Sequence, residues 1–151
     1  MKFTHVTPGG EARMVDISNK PVIHRKATAT GKIYMQPQSI ELIKKHQIKK
    51  GEVLSVARIA AINGAKRTSE LIPLCHNIPI NLIDVQFSIQ PEGIEISARA
   101  ECDGKTGVEM EALAAVSIAA LTIYDMCKAV DKKMVISEIT LKEKIKNEIH
   151  R

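Results

Sequence analysis

The segment that most limits the possible folds of this chain is its longest apolar run, residues 108–130. The run is rich in alanine and predicts one long helix, since small side chains let a sheet or a second helix approach closely. Its uncharged part, residues 112–123, is too short to cross a bilayer. We therefore expect a buried helix that packs against other elements of the same chain.

Alternating apolar residues predict the strands that this helix would cover. The clearest case is a hairpin, in which residues 91–93 form the turn between two alternating segments. The first strand is rich in β-branched residues, with Gly31 as a kink or bulge. The four predicted strands cover residues 22–35, 81–90, 94–102 and 134–141.

Two shorter helical segments precede the hairpin. Residues 38–46 predict a short amphipathic helix, and a second helix begins near Glu52, with Asn63 and Gly64 as a stop or kink and a further turn or two before Pro73. The order strand, helices, hairpin, long helix, strand predicts an α+β fold. Its simplest form is a ferredoxin-like two-layer sandwich, an antiparallel sheet covered on one face by helices.

The chain length predicts a single domain over residues 1–151. Residues 1–20 show little periodicity and predict an extended arm, and residues 142–151 predict a charged tail after the last strand. The three cysteines include no CxxC pair, which argues against a zinc ribbon or a disulfide framework and favours a reducing compartment. With no apolar leader at the start of the sequence, we expect a soluble cytoplasmic protein.

The net charge of +5 and pI of about 9.2 indicate an anionic partner. Aromatic residues make up only 3% of the chain, so stacking platforms for single-stranded nucleic acid are scarce. The basic residues occur as separated pairs, which suits a phosphorylated small molecule at least as well as a duplex. Such pairs include Lys44–Lys45, Lys49–Lys50, Lys66–Arg67 and Lys132–Lys133.

Asp125 and Lys128 interrupt the apolar helix near its end and lie on one helical face, three positions apart. An exposed ion pair that contributes at most ~1 kcal/mol would explain them. An acid and base pair at the mouth of a site is the alternative, although for such a spacing the exposed ion pair is the commoner explanation. The pattern of these two residues alone does not decide between the two interpretations.

A second cluster lies in the segment KRTSELIPLCHNIP. Pro73 ends the helix that carries Lys66 and Arg67, and an irregular stretch containing His76 follows. A histidine there can donate to a phosphate or act as a general acid, or it can simply bond to the backbone. Cys75 beside it is more typical of a buried structural cysteine than of a nucleophile, because adjacent side chains usually point apart.

The segment CDGKTGVEMEAL lacks the spacing of a Walker A phosphate loop. Glu109 and Glu111 fall in the first turn of the long helix, where each carboxylate stabilises the helix dipole by ~0.3 to 1 kcal/mol. From Glu111 to Asp125 a straight helix rises about 21 Å. If both serve one reaction, they belong either to separate parts of a site or to sites shared between subunits. The histidines and carboxylates show no metal-ligand spacing, so we expect no metal held by the protein.

Three long segments carry a resemblance to a known family. They are MVDIS at 14–18, KGEVLSVARIAAINGAKRTSELIPLCHNI at 50–78 and KTGVEMEALAAVSIAALTIYDMCKAVDKKMVI at 105–136. These strings resemble the MoaC family of molybdenum cofactor biosynthesis over nearly the whole chain. The family converts the cyclised dihydro-GTP triphosphate to cyclic pyranopterin monophosphate and releases diphosphate. The resemblance implies a ferredoxin-like fold and a homohexamer, a trimer of dimers with sites at subunit interfaces.

The resemblance also implies the roles of individual residues, matched by motif. Asp125 of the IYDMCK segment would be catalytic, and Lys128 and Lys50 would assist it. Arg25 matches a substrate arginine less closely, because its surroundings differ. The residues expected to contact the substrate are Leu74, Cys75, His76, Met110, Glu111, Lys66, Arg67, Arg25 and Glu109. No cofactor is implied, although magnesium could enter with the triphosphate.

Two other classes of function remain alternatives. A non-catalytic basic oligomer would bind an anionic nucleotide or RNA without forming product, and RNA binding would depend steeply on salt. A phosphohydrolase is disfavoured because the sequence has no carboxylate cluster for metal ions.

Overall fold

The computed structural model describes residues 6–149, which form one four-stranded antiparallel sheet with helices packed on it. The strand order is β2-β3-β1-β4, so β1 lies inside the sheet although it comes first in the chain. The strands are β1 (Ile23–Tyr34), β2 (Ile80–Gln90), β3 (Gly93–Gly104) and β4 (Val135–Asn147). The helices are α1 (Pro37–Lys44), α2 (Val53–Lys66), α3 (Thr68–Leu71) and α4 (Glu109–Cys127).

Strand β1 shows why only one face of the sheet is covered. Ala27, Ala29 and Ile33 are fully buried and alternate with half-buried polar residues on the other face. The buried face packs against α4, whose alanines allow close approach, and α2 packs on α4 in turn. The α+β two-layer prediction is therefore confirmed, and so is the hairpin, which pairs β2 with β3 from Gln90 and Gly93 outwards.

Gly31 in β1 and Gly64 in α2 both lie where a side chain would overlap a residue of α4. Gly31 lies at a register shift between β1 and β4, and a Cβ there would lie 2.6 Å from a methyl of Val116 on α4. The prediction of a bulge at Gly31 is confirmed. Of the two alternatives predicted for Gly64, a stop in α2 is wrong, and a kink stays a prediction. The helix continues through Gly64 to Lys66, and the missing side chain lets Ile118 pack where a Cβ would stand only 2.7 Å away.

Strand β4 extends further than the sequence predicted. The sequence predicts an end of this strand at Leu141 and a charged tail over residues 142–151, whereas β4 pairs with β1 as far as Asn147. The error arose because β4 is an edge strand whose residues are mostly exposed and charged, so it lacks the apolar alternation of an interior strand. Residues 150 and 151, like residues 1–5 of the predicted arm, lie outside the described range.

Helix α4 is long and apolar enough to cross a membrane by length and composition alone. The structure instead places it at the centre of the core. Half of its most apolar window is buried, with Ala115, Val116, Ala119 and Ile123 fully enclosed. The expected role as a core helix is what the packing shows.

Candidate active site

Asp125 lies between two lysines at the carboxyl end of α4. Its Oδ2 accepts a hydrogen bond of 2.7 Å from Lys50 Nζ, and its Oδ1 lies 2.7 Å from Lys128 Nζ. Lys50 also donates to the Asp125 carbonyl oxygen at 2.9 Å. We call these three residues the lysine–aspartate cluster. All three side chains are about half exposed, so the group faces solvent and is open to a ligand.

The two lysines determine the charge state of the cluster. The hydrogen bond from Lys128, and then that from Lys50, lower the pKa of Asp125 to about 2. The same carboxylate raises the pKa of Lys128 above its ordinary value. In the ligand-free protein at neutral pH the cluster therefore holds one carboxylate and two ammonium groups, with a net positive charge that suits an anion.

Asp131 is buried at the turn that follows Lys128, only 2% exposed. Its carboxylate accepts from the backbone N–H of Gln36 at 2.8 Å, the hydroxyl of Ser39 at 3.0 Å and the N–H of Lys133 at 3.0 Å. Burial opposes ionisation of Asp131, but these hydrogen bonds outweigh it and lower its pKa. Asp131 thus fastens the turn after α4 to the start of α1, the helix that leads to the loop carrying Lys50.

A cleft of about 330 Å³ opens at the other end of α4. Part of the N-terminal arm forms one wall, and the loop before β2 and the first turn of α4 form the others. We call this the arm cleft. It is lined by Val15, Ile17, Lys20, Leu74, Cys75, His76, Ile78, Thr106, Gly107, Glu109, Met110 and Glu111. The structure therefore brings together six of the residues that the sequence proposed as substrate contacts.

His76 connects the arm to the rest of the cleft. Its Nε2 lies 2.7 Å from the carbonyl oxygen of Val15. A carbonyl oxygen only accepts, so Nε2 carries the proton and donates. Of the alternatives considered for His76, the backbone hydrogen bond is thus present, and the same ring also lines the cleft.

Cys75 is half-buried beside His76 and is not activated. Burial, and then the nearby carboxylate of Glu111, raise the pKa of its thiol. A thiol held protonated is a poor nucleophile. Cys102 and Cys127 are fully buried, and burial raises the pKa of each to about 11.

Glu109 is paired with Lys144, which lies on β4 in the segment that the sequence predicts to be a charged tail. Burial opposes ionisation of Glu109, but the bond from Lys144 outweighs it and lowers the pKa. Gly107 leaves room for this pair, because a Cβ there would collide with the Glu109 carboxylate. The helix-dipole explanation is therefore incomplete for Glu109, whose main partner is a cation from the edge strand.

Glu111 lies in the opposite environment although it is only two residues away. It is 3% exposed, and its Oε2 has no hydrogen-bond partner among the described residues. Burial, with a smaller contribution from the charge of Glu109, raises the pKa of Glu111 to about 7. A carboxyl group with that pKa at a cleft can hold or release a proton at neutral pH.

The remaining predicted contacts, Arg25, Lys66 and Arg67, do not line the arm cleft. Arg25 is 8% exposed, and its guanidinium donates to the carbonyl oxygens of Gly104 at 2.8 Å and Lys105 at 3.1 Å. In this structure it supports the loop before α4. Lys66 and Arg67 are exposed at the end of α2 and make no ion pair or side-chain hydrogen bond among residues 6–149.

The two groups of residues are far apart within one chain. Glu111 and Asp125 lie near opposite ends of the same helix, and the intervening turns of α4 rise about 21 Å. Helix α2 begins near the lysine–aspartate cluster and ends with Gly64 against Ile118, so Lys66 also lies away from Asp125. Within one chain the candidate residues therefore form two separate groups rather than one compact site. We call these groups, the lysine–aspartate cluster and the arm cleft, the two half-sites.

Sequence reasoning missed Lys20 and Lys144. Lys144 lies in a charged segment whose only apolar residues are Leu141 and Ile145, so no clear alternation marks it as part of a strand. Lys20 follows an Asp16–Ser18 turn, which is a local signal for an ordered arm. In residues 6–149 no three His, Cys, Asp or Glu side chains are grouped as metal ligands. The expectation that the protein holds no metal stays a prediction.

The sequence is similar to one protein family over most of its length and to several named proteins. The family model described as the MoaC family matches residues 14–147. A protein of Peptoclostridium acidaminophilum named cyclic pyranopterin monophosphate synthase is 58% identical over 144 residues, 95% of this chain and 92% of that protein. A protein of the same name from Desulfitobacterium hafniense is 56% identical, over 95% of this chain and 89% of its own length.

One relative is a longer protein. A molybdenum cofactor biosynthesis bifunctional protein of Chlorobaculum tepidum is 54% identical over 95% of this chain, which corresponds to 46% of the relative. The lysine–aspartate cluster and all the residues that line the arm cleft lie inside the segment that the family model matches.

Proposed function

The chain belongs to the MoaC family, and on this basis we propose that it is a lyase of molybdenum cofactor biosynthesis, a cyclic pyranopterin monophosphate synthase. Its substrate is the cyclised dihydro-GTP triphosphate, and its products are cyclic pyranopterin monophosphate and diphosphate. The observation that carries the proposal is the match over residues 14–147, together with identities above one half to proteins named for this activity.

The lysine–aspartate cluster suits the proton transfers of the ring rearrangement. With a pKa of about 2, Asp125 is a weak base while both lysines bond to it. Phosphate oxygens of a bound substrate compete for those ammonium groups, and each hydrogen bond lost raises the pKa of Asp125 towards its ordinary value. Substrate binding thereby strengthens the base, and Lys128 is placed to return the proton as an acid.

Closure of the cyclic phosphate needs neutralisation of charge. A sugar hydroxyl attacks the α-phosphorus and gives up its proton to a base, a new P–O bond forms, and the bond to the departing diphosphate breaks. Negative charge grows on the leaving oxygens, where ammonium and guanidinium groups stabilise it. Lys50, Lys66 and Arg67 are exposed and supply such groups.

The protein works as a homo-oligomer with sites at subunit interfaces, in the arrangement of a hexamer built as a trimer of dimers. The separation of the two half-sites along α4 supports this, because a small substrate cannot span them within one chain. Large apolar side chains on the outer faces of the helices also support it. Ile59 on α2 is 61% exposed and Leu121 on α4 is 56% exposed, which is typical of surfaces covered by another subunit.

The substrate contacts divide between the two half-sites. Asp125, Lys128 and Lys50 come from one chain. The Leu74–His76 segment and Met110 and Glu111 come from its neighbour, with Lys66 and Arg67 at the border. No cofactor takes part, although magnesium can accompany the triphosphate. Such an enzyme works in the cytoplasm on a small molecule and needs neither nucleic acid nor membrane.

The activity is tested by turnover of the cyclised dihydro-GTP triphosphate, with mass spectrometry of the cyclic monophosphate and diphosphate. Asp125→Asn and Lys128→Ala should each lower turnover at least a hundredfold, about 3 kcal/mol of barrier, with assembly unchanged. Near-normal turnover by either variant would remove that residue from catalysis. Tight binding without product from the wild type would favour the non-catalytic binding protein instead.

The shared site is tested by mixing two inactive variants, Asp125→Asn and Glu111→Ala. If each site takes one residue from each chain, random reassembly restores about a quarter of wild-type activity, because half of the pairs are mixed and one of their two sites is intact. Mixtures that stay inactive after verified subunit exchange would place both residues of a site in one chain.

A further inference from the structure

Lys20 lines the arm cleft, and its ammonium group has no partner among residues 6–149. It is exposed, it lines the cleft, and it makes no ion pair or side-chain hydrogen bond to a described residue. Lys105 does not line this cleft but an adjoining one, and it donates to the carbonyl oxygen of Ser18 at 2.8 Å. Lys144 is paired with Glu109. A free ammonium group in a cleft is available for an anionic ligand.

The arm that carries Lys20 is held in place at two points. His76 donates to the carbonyl oxygen of Val15, and Lys105 donates to that of Ser18. These bonds lie on either side of Ile17, which also lines the cleft. Residues 15–18 are therefore a wall of the cleft and not a loose terminus.

A local turn then directs the chain from this wall to Lys20. The Asp16 carboxylate accepts from the backbone N–H of Ser18 at 2.8 Å and from its hydroxyl at 2.6 Å, and Lys20 N–H donates to the Ile17 carbonyl oxygen at 3.0 Å. The bonds from Ser18 lower the pKa of Asp16, so its carboxylate is ionised at neutral pH. Such a turn limits the backbone conformations available to Lys20.

We infer that Lys20 is a phosphate ligand of the substrate, and that the turn at Asp16–Lys20 holds it in position over the arm cleft. The inference rests on the proposed function for the identity of the ligand. The surroundings favour an anion at this place, because Glu109 is neutralised by Lys144 and the remaining cleft carboxyl, Glu111, is buried in the first turn of α4. Lys20 contributes binding and no proton transfer.

The first experiment measures binding of inorganic tripolyphosphate by calorimetry and KM and kcat with the substrate. Lys20→Met should weaken tripolyphosphate binding and raise KM about tenfold or more, the value of one charge-assisted hydrogen bond, with kcat nearly unchanged. Lys20→Arg should restore most of the affinity. The matched control is Lys142→Met, which removes the same charge from the open face of the sheet and should change neither quantity.

The second experiment separates position from charge. Asp16→Ala removes a negative charge near the ligand, which by itself would strengthen anion binding. Our inference predicts weaker binding, because the turn that orients Lys20 is lost, and predicts no added effect in the Lys20→Met background. Stronger binding by Asp16→Ala would show that the turn does not position Lys20.

The outcomes distinguish this inference from the proposed function. Equal tripolyphosphate affinity for Lys20→Met and Lys142→Met would overturn the role of Lys20, whether or not the wild type turns over. Absence of turnover in the wild type would instead overturn the proposed function. In that case a selective loss of tripolyphosphate binding in Lys20→Met would still support an anion site at Lys20.

Discussion

Replacing Glu111 by glutamine should stabilise the protein at alkaline pH and leave its stability almost unchanged at acid pH. Glu111 is 3% exposed, its Oε2 lacks a partner among the described residues, and its pKa is raised from 4.5 to about 7. The folded protein therefore keeps the proton of Glu111 in a range where the unfolded chain has already released it. Glutamine has nearly the same shape and cannot acquire the charge.

The sign and the size of the effect follow from linkage. Below pH 4.5 both states hold the proton, so Glu111 contributes no pH dependence. As pH rises from 4.5 to 7 the unfolded chain gains stability relative to the folded protein, and above 7 the penalty is constant. A shift of this size corresponds to roughly 3.4 kcal/mol, of which about 2.5 kcal/mol falls between pH 5 and pH 8.

Urea unfolding of both proteins at pH 5 and pH 8, at one protein concentration, measures this difference. The wild type should lose about 2.5 kcal/mol more than Glu111→Gln between the two values, a difference of about 1 M in the urea midpoint. Glu109→Gln is the control on the same helical turn. The pKa of Glu109 is lowered by Lys144, although burial opposes this, so its replacement should give no gain at pH 8.

Parallel pH dependence in the wild type and Glu111→Gln would refute the reasoning. It would mean that Glu111 is ionised in the folded protein, and that a cation outside the described contacts compensates its charge.

Three further predictions concern the supports of the two half-sites. Gly64→Ala should destabilise the protein by about 1 to 2 kcal/mol in thermal unfolding, because the overlap with Ile118 outweighs the gain in helix propensity; Ile118→Ala should recover part of the loss, and a more stable Gly64→Ala would contradict the contact. Asp131→Ala should cost about 2 to 4 kcal/mol at pH 7, since three donors lose their acceptor. Because the folded-state pKa of Asp131 is lowered, its stabilisation is present above pH 3.8 and fades below it, so a stability difference that stays constant down to pH 2 would argue against an ionised Asp131. Arg25→Lys should lose about 1 to 2 kcal/mol, because lysine cannot reproduce the two bonds of the guanidinium, and hydrogen exchange at residues 104–107 should accelerate; unchanged exchange would show that Arg25 does not support this loop.

The elements that were predicted correctly are those whose burial follows a regular period. The hairpin alternates along both of its strands, and α4 is apolar over several turns, so each pattern is readable within a short window. Strand β4 failed this test beyond Leu141, because an edge strand with most of its residues exposed needs no apolar alternation. Gly64 failed it for a different reason. Its role depends on Ile118, a residue more than fifty positions away in the sequence.

The candidate site also has a part that could be predicted from the sequence and a part that could not. The motifs at Leu74–His76 and at Met110–Glu111 were named from the sequence, and the structure places both in the arm cleft. The resemblance assigned Lys50 to the same catalytic group as Asp125, but only the structure gives the direct bond of 2.7 Å between them. Only the structure shows that the arm is bonded to the cleft through His76. These contacts join segments that are distant along the chain, and no local pattern encodes which of the many lysines meets which carboxylate.

By itself the sequence determined the class of fold, the positions of most elements, the basic character and the family to which the chain belongs. Each of these depends on local periodicity, composition or contiguous motifs. Only the tertiary structure decided the charge states, since Glu109 and Glu111 are neighbours on one helix yet have pKa values shifted in opposite directions. The physical reason is that a pKa depends on burial and on the charges within a few ångströms, and packing of distant segments sets both.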